Sequence, residues 1–521
     1  MHGFDEQASP PAAEDFKGPW YRALNRYHWF VLAVAAMGWM FDTMDQQLFV
    51  LARPAAMEDL IPARKDADAK TRESLRQTRG QAGGIATSIF IVGWATGGLV
   101  FGMLGDRIGR ARTMIITILL YSLFTGLSSL SVGLWDFSFY RFLTGLGVGG
   151  EFAVGVSLVA EVMPSVARPY ALALLQALSG IGNVSAAFIF LGLGLAQEHG
   201  LLERALGSGH VSTPWRIMFL VGTVPALLAL LVMRRLKEPE AWQRISHGGT
   251  VTKQLGSYGE LFREPRLRSH ALFGLLLGCA GVIGLWSVGF YTFDLVRFVQ
   301  RKPVTTQVYT EQLQSATERG DRARQQQLQA LLAKEADASA LLAADAELVK
   351  TELAGVVSGR LARWSSYASI AMNLGAALGM FGFGALSQRI GRKPTFALAF
   401  LAAFLSTLAV FWFLQEFWQI WVMVPVMGFC QLSLFAGYAI YFPELFPTRL
   451  RSTGTSFCYN VGRFVAAIGP SALGLLRSEA YGGYGEPLDM RLAGMTMCTV
   501  FLLGLVALPF LPETKGQPLP E

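Results

Sequence analysis

Charge is what this chain has least of. Only 16% of its 521 residues are Asp, Glu, Lys or Arg, against 52% hydrophobic, and the mean hydropathy is +0.39. That leaves too little polar surface to cover a soluble globule, so an integral membrane protein is expected. Cysteine is scarce too. Cys279, Cys430, Cys458 and Cys498 all fall within apolar stretches and lack metal-ligand spacing, so they read as small packing residues. Histidine offers no catalytic grouping, because His28, His199, His210, His247 and His270 stand at the ends of apolar stretches or between them. There is no nucleophile elbow and no Ser/His/Asp arrangement, and GLGVGG at Gly145–Gly150 lacks both a preceding strand and a following Lys-Ser/Thr. An enzyme, a cofactor and a resident metal are therefore not expected. The first 27 residues are polar and mixed in charge, without a short apolar region and cleavage site, so no cleaved signal peptide is expected. The net charge of +7 sits in segments between apolar stretches, which suits lipid headgroups rather than nucleic acid.

What the chain does have is hydrophobic length and repetition. A stretch of about 20 apolar residues crosses about 30 Å of hydrocarbon. Twelve such spans are centred near Ala36, Ile91, Leu120, Val148, Leu178, Leu227, Ile283, Ala376, Phe404, Gly428, Val465 and Leu502. Gly102–Arg110 reads GMLGDRIGR and Gly384–Arg392 reads GALSQRIGR, 282 positions later (384 − 102). Each is a tight basic turn between two spans. Glu161–Arg168 (EVMPSVAR) and Glu444–Arg451 (ELFPTRLR) repeat E-x-x-P-x-x-x-R at an offset of 283 (444 − 161). A looser pair, PEAW at Pro239–Trp242 and PETKG at Pro512–Gly516, closes each half. Duplicated helix bundles are how secondary transporters are built.

Orientation follows from the short turns. Those after spans 2, 4, 8 and 10 hold Arg107, Arg110, Arg112, Arg168, Arg389, Arg392, Lys393, Arg449 and Arg451, whereas those after spans 3 and 9 carry no Lys or Arg. The basic turns and, with an even number of spans, both termini are then expected in the cytoplasm. The expected organisation is a cytoplasmic tail (1–28), a six-helix bundle (29–235), a cytoplasmic linker (236–268), a second six-helix bundle (269–510) and a cytoplasmic tail (511–521). Between spans 7 and 8, the stretch 297–363 is rich in Gln, Ala, Leu, Glu and Arg. It is expected to form one or two amphipathic helices on the extracytoplasmic side, either a plain cap or a gate or partner-docking element.

Five motifs at matching places resemble the major facilitator superfamily, in particular its sugar-porter and metabolite:proton symporter branches, from about Trp29 to Gly516. They are the G-x-L-x-D-R-x-G-R turn, its altered copy, R-x-x-x-G-x-G at Arg141–Gly147, the E-x-x-P-x-x-x-R pairs and the terminal PETKG. The resemblance implies an all-α membrane protein, with twelve transmembrane helices in two pseudo-symmetric halves that rock around a midplane site. It also implies a multi-pass monomer of the cell (inner) membrane whose partners are a small-molecule substrate, protons and the lipid bilayer. In the family Asp106 would lie near the start of span 11, and the arginines would bridge spans 2, 4 and 11. Gly102, Asp106, Arg107, Gly109, Arg110, Glu161, Arg168, Arg389, Gly391, Arg392, Glu444 and Arg451 are accordingly expected gate residues. Two departures stand out. Gln388 replaces Asp106 in the second turn, and span 7 has Trp286, Phe290 and Tyr291 but none of the glutamines usual in sugar porters.

Ionisable groups inside spans each need a reason, since one costs roughly 2.5–3.5 kcal/mol at the bilayer centre. Asp42 and Asp45 are spaced i, i+3 on one face of span 1, with Gln46 one turn beyond Asp42. Neighbouring carboxylates shielded from water favour holding a proton, as proton coupling requires. The MFDTMD context resembles the F/Y-D-T of sugar porters, which implies Asp42 as the coupling carboxylate and Arg141 as its partner. Glu151, ten residues after Arg141 in the same span, is a second proton carrier, a substrate ligand or a helix-to-helix tie. Arg463 in span 11 is either an anchor for a substrate carboxylate or half of an ion pair near the helix end. If the resemblance holds, the central cavity is lined by Gln46, Gln176, Asn183, Trp286, Tyr291, Asn373, Gln431, Tyr438 and Asn460. The expected function is proton-coupled import of a small organic anion by a symporter. A sugar:proton symporter, a uniporter and a non-transporting nutrient receptor are the alternatives.

Overall fold

The structure is a computed structural model, and it describes residues 18–62, 69–198, 202, 204, 213–225, 235–246, 255–289, 291–334, 343–466, 472–473, 475–484 and 488–520. Its helices are α1 (Arg26–Leu60), α2 (Ala69–Ile108), α3 (Arg110–Ser128), α4 (Leu134–Val162), α5 (Arg168–Glu198), α6 (Pro214–Val221), α7 (Pro265–Gly284), α8 (Tyr291–Glu318), α9 (Arg322–Lys334), α10 (Ala343–Ile390), α11 (Arg392–Phe413), α12 (Phe417–Leu445), α13 (Arg451–Ala466), α14 (Leu488–Cys498) and α15 (Phe501–Ala507), with short helical turns between them. Among the described residues there is no strand. Nine helical segments there are long and apolar enough to cross a membrane. Of the twelve expected spans, the first is α1, a continuous helix whose apolar run is broken by Asp42 and Asp45. The centre of the sixth lies outside the described residues, as do most of the tail 1–28, part of the linker and residues 467–471 beyond α13.

Helices within each half approach backbone to backbone. A side chain at Gly97 or Gly149 would collide with the backbone of the facing helix, α4 or α2, and Gly379 and Gly428 make the same notches between α10 and α12. Membrane helices without a hydrophobic force between them pack through such small residues.

The symmetry runs deeper than the repeated turns. Glu238 accepts from the backbone N–H groups of Arg110, Ala111 and Arg112 at 2.7, 3.2 and 3.1 Å, closing the N-terminus of α3. Glu513 does the same for α11, accepting from Arg392 and Lys393 at 2.9 and 3.0 Å. The carboxylate thus meets the free N–H groups and the positive end of the helix dipole. This corrects the expected register of the closing pair. Glu513 corresponds to Glu238 (513 − 238 = 275) and not to Glu240, which is exposed and pairs with Arg244. At the other ends of the same helices, Arg216 donates to the carbonyls of Ser129 and Ser131 at 2.6 and 2.9 Å. Arg491, again 275 positions on (491 − 216), donates to those of Phe411 and Leu414 at 2.9 and 2.6 Å. Both α3 and α11 are therefore clamped by opposite charges at their two ends.

The stretch after the seventh span is a small domain of its own. At 1.5 Å per residue the 48-residue α10 is about 72 Å long, more than twice a hydrocarbon core of about 30 Å. Its last turn enters the second basic turn, so its first half projects from the opposite end of the bundle. There α9 packs against α8 and α10 around Val304, Val308, Leu328, Leu331 and Leu353. Glu311 and Arg360 pair across α8 and α10.

Two predictions follow from the clamped helix ends. Gly109 and Gly391 have φ of 111° and 101°, and a Cβ on either would strike the capping carboxylate of Glu238 or Glu513. Alanine at either position should cost about 1–3 kcal/mol, seen as a lower melting temperature of the purified protein; unchanged melting would count against the caps. Glu513 lies beyond the last span. Burial would raise its carboxyl, but the backbone N–H groups of Arg392, Lys393, Lys515 and Thr514 outweigh it and hold the group below the usual carboxylate range. Its contribution is therefore present above the unfolded value and is lost as pH falls through the folded one. The wild type should lose more stability on acidification than Glu513→Gln, and parallel acid-melting curves would refute the assignment.

Candidate functional site

Three clusters of ions divide the bundle between them. The first joins the two halves at the end that carries the basic turns. Asp106, fully buried at the end of α2, accepts from the backbone N–H groups of Ser452 and Thr453 at 3.1 and 2.8 Å and from the Thr453 hydroxyl at 2.6 Å. It thereby caps α13. Arg110 reaches Asp106 at 3.1 Å and Glu161 at 2.9 Å, and Glu161 also takes Arg451 at 2.7 Å. One carboxylate thus holds an arginine from each half. Gly102 lets α2 touch Ser456 of α13, and the Arg107 side chain donates to the Leu255 carbonyl at 3.2 Å.

The second copy is weaker across the halves. Glu444 takes Arg392 at 2.8 Å and the Thr514 hydroxyl at 2.5 Å, all within the second half. Arg168 lies within the field of Glu444, and its Nε is buried without a hydrogen-bond partner among the described residues. Gln388 is half-buried, and among the described residues it makes no bond to α5 like that of Asp106 to α13. Arg389 is exposed, and its carbonyl accepts from the Lys515 ammonium at 2.8 Å.

The second cluster lies inside the first half. Arg141 stands 3.5 Å from Asp45, not beside Asp42 as expected. The reason is geometric: the side chain is held by Ser128 at 3.0 and 2.9 Å and by Thr144 at 3.0 Å, with the Phe219 ring 4.6 Å away. These contacts aim it at the outer of the two aspartates, which also accepts from the Thr125 hydroxyl at 2.6 Å. Asp42 is buried and has no hydrogen-bond partner among the described residues. Glu151 accepts from Thr117 at 2.7 Å and lies against α1 at Gly38.

The third cluster lies between the halves. Arg463 of α13 is buried, with its guanidinium 4.4 Å from the ring centres of both Trp94 and Tyr459. It donates to the Tyr459 carbonyl at 2.9 Å and to Asn460 at 2.7 Å, while Nε has no partner among the described residues. Arg110, Arg141, Arg216, Arg392 and Arg451 each have a carboxylate. Among the described residues Arg463 has none. Gln176 of α5 lies beside Tyr459 with its amide oxygen unpartnered. Trp286, on a π-helical turn between α7 and α8, meets Trp94 edge-on at 6.0 Å. π turns of this kind recur at functional sites.

Other expected lining residues are not brought here. Gln431 donates to Thr407 at 2.6 Å and Tyr438 to the Leu277 carbonyl at 2.9 Å, both inside the second half. Asn373 donates to Ser369 at 2.9 Å in its own helix. Gln46, Asn183 and Tyr291 are half-buried. Sequence reasoning missed Trp94, Phe152 and Tyr459, because an aromatic residue in an apolar span carries no mark of what it faces. Phe152 stacks on Tyr459 at 3.8 Å, joining the second and third clusters. A crevice of 440 Å³ between α10, α11 and α12 ends at Arg389 and is separate from Arg463.

Known proteins agree with this architecture. The chain is 25% identical over 500 residues to a protein of Cupriavidus pinatubonensis named as a probable 4-methylmuconolactone transporter, covering 95% of this chain and 93% of that one. It is 26% identical to the cis,cis-muconate transport protein of Acinetobacter baylyi, covering 84% and 86%. Among solved structures, the proton:xylose symporter XylE of E. coli superposes with a TM-score of 0.59 at 18% identity, covering 95% of this chain and 98% of that one. The family model described as Major Facilitator Superfamily matches residues 29–304 and 341–521. The chain therefore belongs to the Major Facilitator Superfamily, a family of membrane transporters.

Proposed function

We propose that this protein is a proton-coupled symporter that imports a small organic anion by alternating access, with twelve spans, cytoplasmic termini and an extracytoplasmic cap. The observation that carries this reading is Arg463, a buried guanidinium between the halves with aromatic faces on two sides and no carboxylate of its own. An unpaired buried charge is costly, and a substrate carboxylate would complete it with paired hydrogen bonds. The flanking rings of Trp94 and Tyr459 suit a planar, unsaturated acid. The names of the muconate and muconolactone carriers point to the same class. Asp45 and Arg141 are the proton switch: with Asp45 ionised the pair ties α1 to α4, and protonation frees the arginine. Asp106, Arg110, Glu161 and Arg451 form the cytoplasmic gate, a role supported by their contacts across the two halves.

Binding is tested by thermal shift with cis,cis-muconate, benzoate and xylose. A ligand at 100 times its dissociation constant adds about 2.7 kcal/mol. The carboxylates should raise the melting temperature, and Arg463→Met should cancel the rise; a shift with xylose alone would overturn the substrate class. In proteoliposomes Asp45→Asn should abolish accumulation against a gradient and leave exchange intact, and unchanged accumulation would sink the proton assignment. Glu161→Gln leaves buried Arg451 without its carboxylate and Arg110 with Asp106 alone. Breaking such a pair costs about 3–5 kcal/mol, so spin labels on α2 and α13 at the basic-turn end should report longer distances. An unaltered distance distribution would remove Glu161 from the gate.

A further inference from the structure

The crevice that ends at Arg389 has walls for hydrocarbon and a mouth for an anion. Its 440 Å³ falls within the range of about 300–1,000 Å³ usual for ligand clefts. The walls are α10, α11 and α12, each with a stretch long and apolar enough to cross a membrane. Leu386, Leu398 and Phe429, one from each helix, are exposed at its edges, so the crevice opens on the outer face of the bundle. Two hydroxyls line it, and both are committed to their own helices: Thr395 donates to the Gly391 carbonyl at 2.6 Å and Ser433 to the Cys430 carbonyl at 2.8 Å. An apolar space without free polar partners does not hold ordered water.

Depth and charge narrow the occupant. Along α10 the lining runs from Gly379 to Arg389, ten residues (389 − 379). At 1.5 Å per residue that is about 15 Å, half of a hydrocarbon core of about 30 Å and so the depth of one leaflet. Arg389 is exposed at the mouth, and among the described residues its guanidinium has no ion pair or hydrogen bond. The Lys515 ammonium, 2.8 Å from the Arg389 carbonyl, brings a second cation to the same place. The acid of that turn, Glu513, is already taken by the backbone N–H groups of Arg392 and Lys393.

The first half fills the same space with its own chain. Val100, Met103 and Leu120 stand where the second half has Gly382, Ala385 and Ala402, at the offset of 282. Arg107, the counterpart of Arg389, donates to the Leu255 carbonyl, and the Tyr258 hydroxyl donates to the Leu99 carbonyl at 2.8 Å, so the linker lies against that end of α2. We infer that the crevice is a binding site for one anionic phospholipid of the leaflet at the basic-turn end. One acyl chain fills it, and the headgroup phosphate pairs with Arg389 and Lys515. Such a chain touches three helices of the second half at once and stabilises their packing. The site is separate from Arg463, and the inference stands whatever the transported substrate is.

Native mass spectrometry of the full-length protein, titrated with phosphatidylglycerol or with phosphatidylcholine of the same acyl chains, tests this. One phosphatidylglycerol should bind more tightly than any further copy and than phosphatidylcholine. Arg389→Gln should weaken that site about fivefold, the factor that one basic residue near a membrane surface contributes. Ala385→Met combined with Ala402→Leu gives the crevice the residues of the first half and should abolish the site. Arg112→Gln, at an exposed arginine of the first basic turn, should leave it unchanged. Size-exclusion profiles establish that each variant is folded, and a second measurement needs no variant. Phosphatidylglycerol carrying a diazirine on its acyl chain should cross-link within residues 379–386 and 398–402. Equal binding of the two lipids, equal weakening by Arg112→Gln and Arg389→Gln, retention of the site in the folded double variant, or cross-links spread evenly over all spans would each overturn the inference.

Discussion

Every ion buried in this bundle has to be answered by something other than water, and that requirement organises the rest of the structure. Three kinds of answer occur. Arg110, Arg392 and Arg451 take opposite charges. Asp106, Glu238 and Glu513 take the free N–H groups of helix starts, and Arg216 and Arg491 the free carbonyls of helix ends. Arg463 takes aromatic faces and neutral oxygens. The first two complete the ion, whereas the third leaves charge to spare. A helix terminus offers several parallel dipoles at fixed positions, so one side chain there sets the place of a whole element.

The clamps on α3 and α11 explain why the halves look alike where they are not required to differ. In each half a carboxylate holds one end of the clamped helix and an arginine the other. Other buried ions break this symmetry. Arg141 and Glu151 have Val424 and Leu434 at the offset of 283, and Arg463 has Gly180. Under the proposed reading protons are handled in the first half and the anion in the second. The ring stack of Phe152 on Tyr459, at 3.8 Å, is where the two machineries touch. Asp106 against Gln388 repeats the theme at the end that carries the basic turns. A carboxylate can serve three donors of α13 at once, and the neutral amide in the other copy binds no helix start among the described residues. Coupling between sites needs an element with two arrangements that both sites bias, and such a one-sided latch is of that kind.

Much of this was legible in the chain beforehand. The repeated turns located Asp106 and Glu161, and their burial among opposite charges is what an apolar flank on both sides demands. The two closing motifs were legible only loosely. Their true register, Glu238 with Glu513, depends on where the segments cross the starts of α3 and α11, which a short match between PEAW and PETKG does not fix. Gln431 and Tyr438 bond to Thr407 and to the Leu277 carbonyl inside the second half, partners that their places along the chain do not reveal.

The sequence by itself determined that this is a duplicated helical membrane protein and which few ionisable groups lie in its apolar spans. Both follow from local composition and spacing, for hydropathy and repeat offset need no knowledge of neighbours. Only the tertiary structure decided which of those groups meet. Asp42 and Asp45 stand three residues apart on one helical face, equal candidates for Arg141 along the chain. The choice fell to Asp45 because Ser128 and Phe219, from other helices, together with Thr144 one turn along α4, fix where the guanidinium can point. Electrostatic pairing acts over a few ångströms in three dimensions, and the helices that supply those ångströms are remote in sequence.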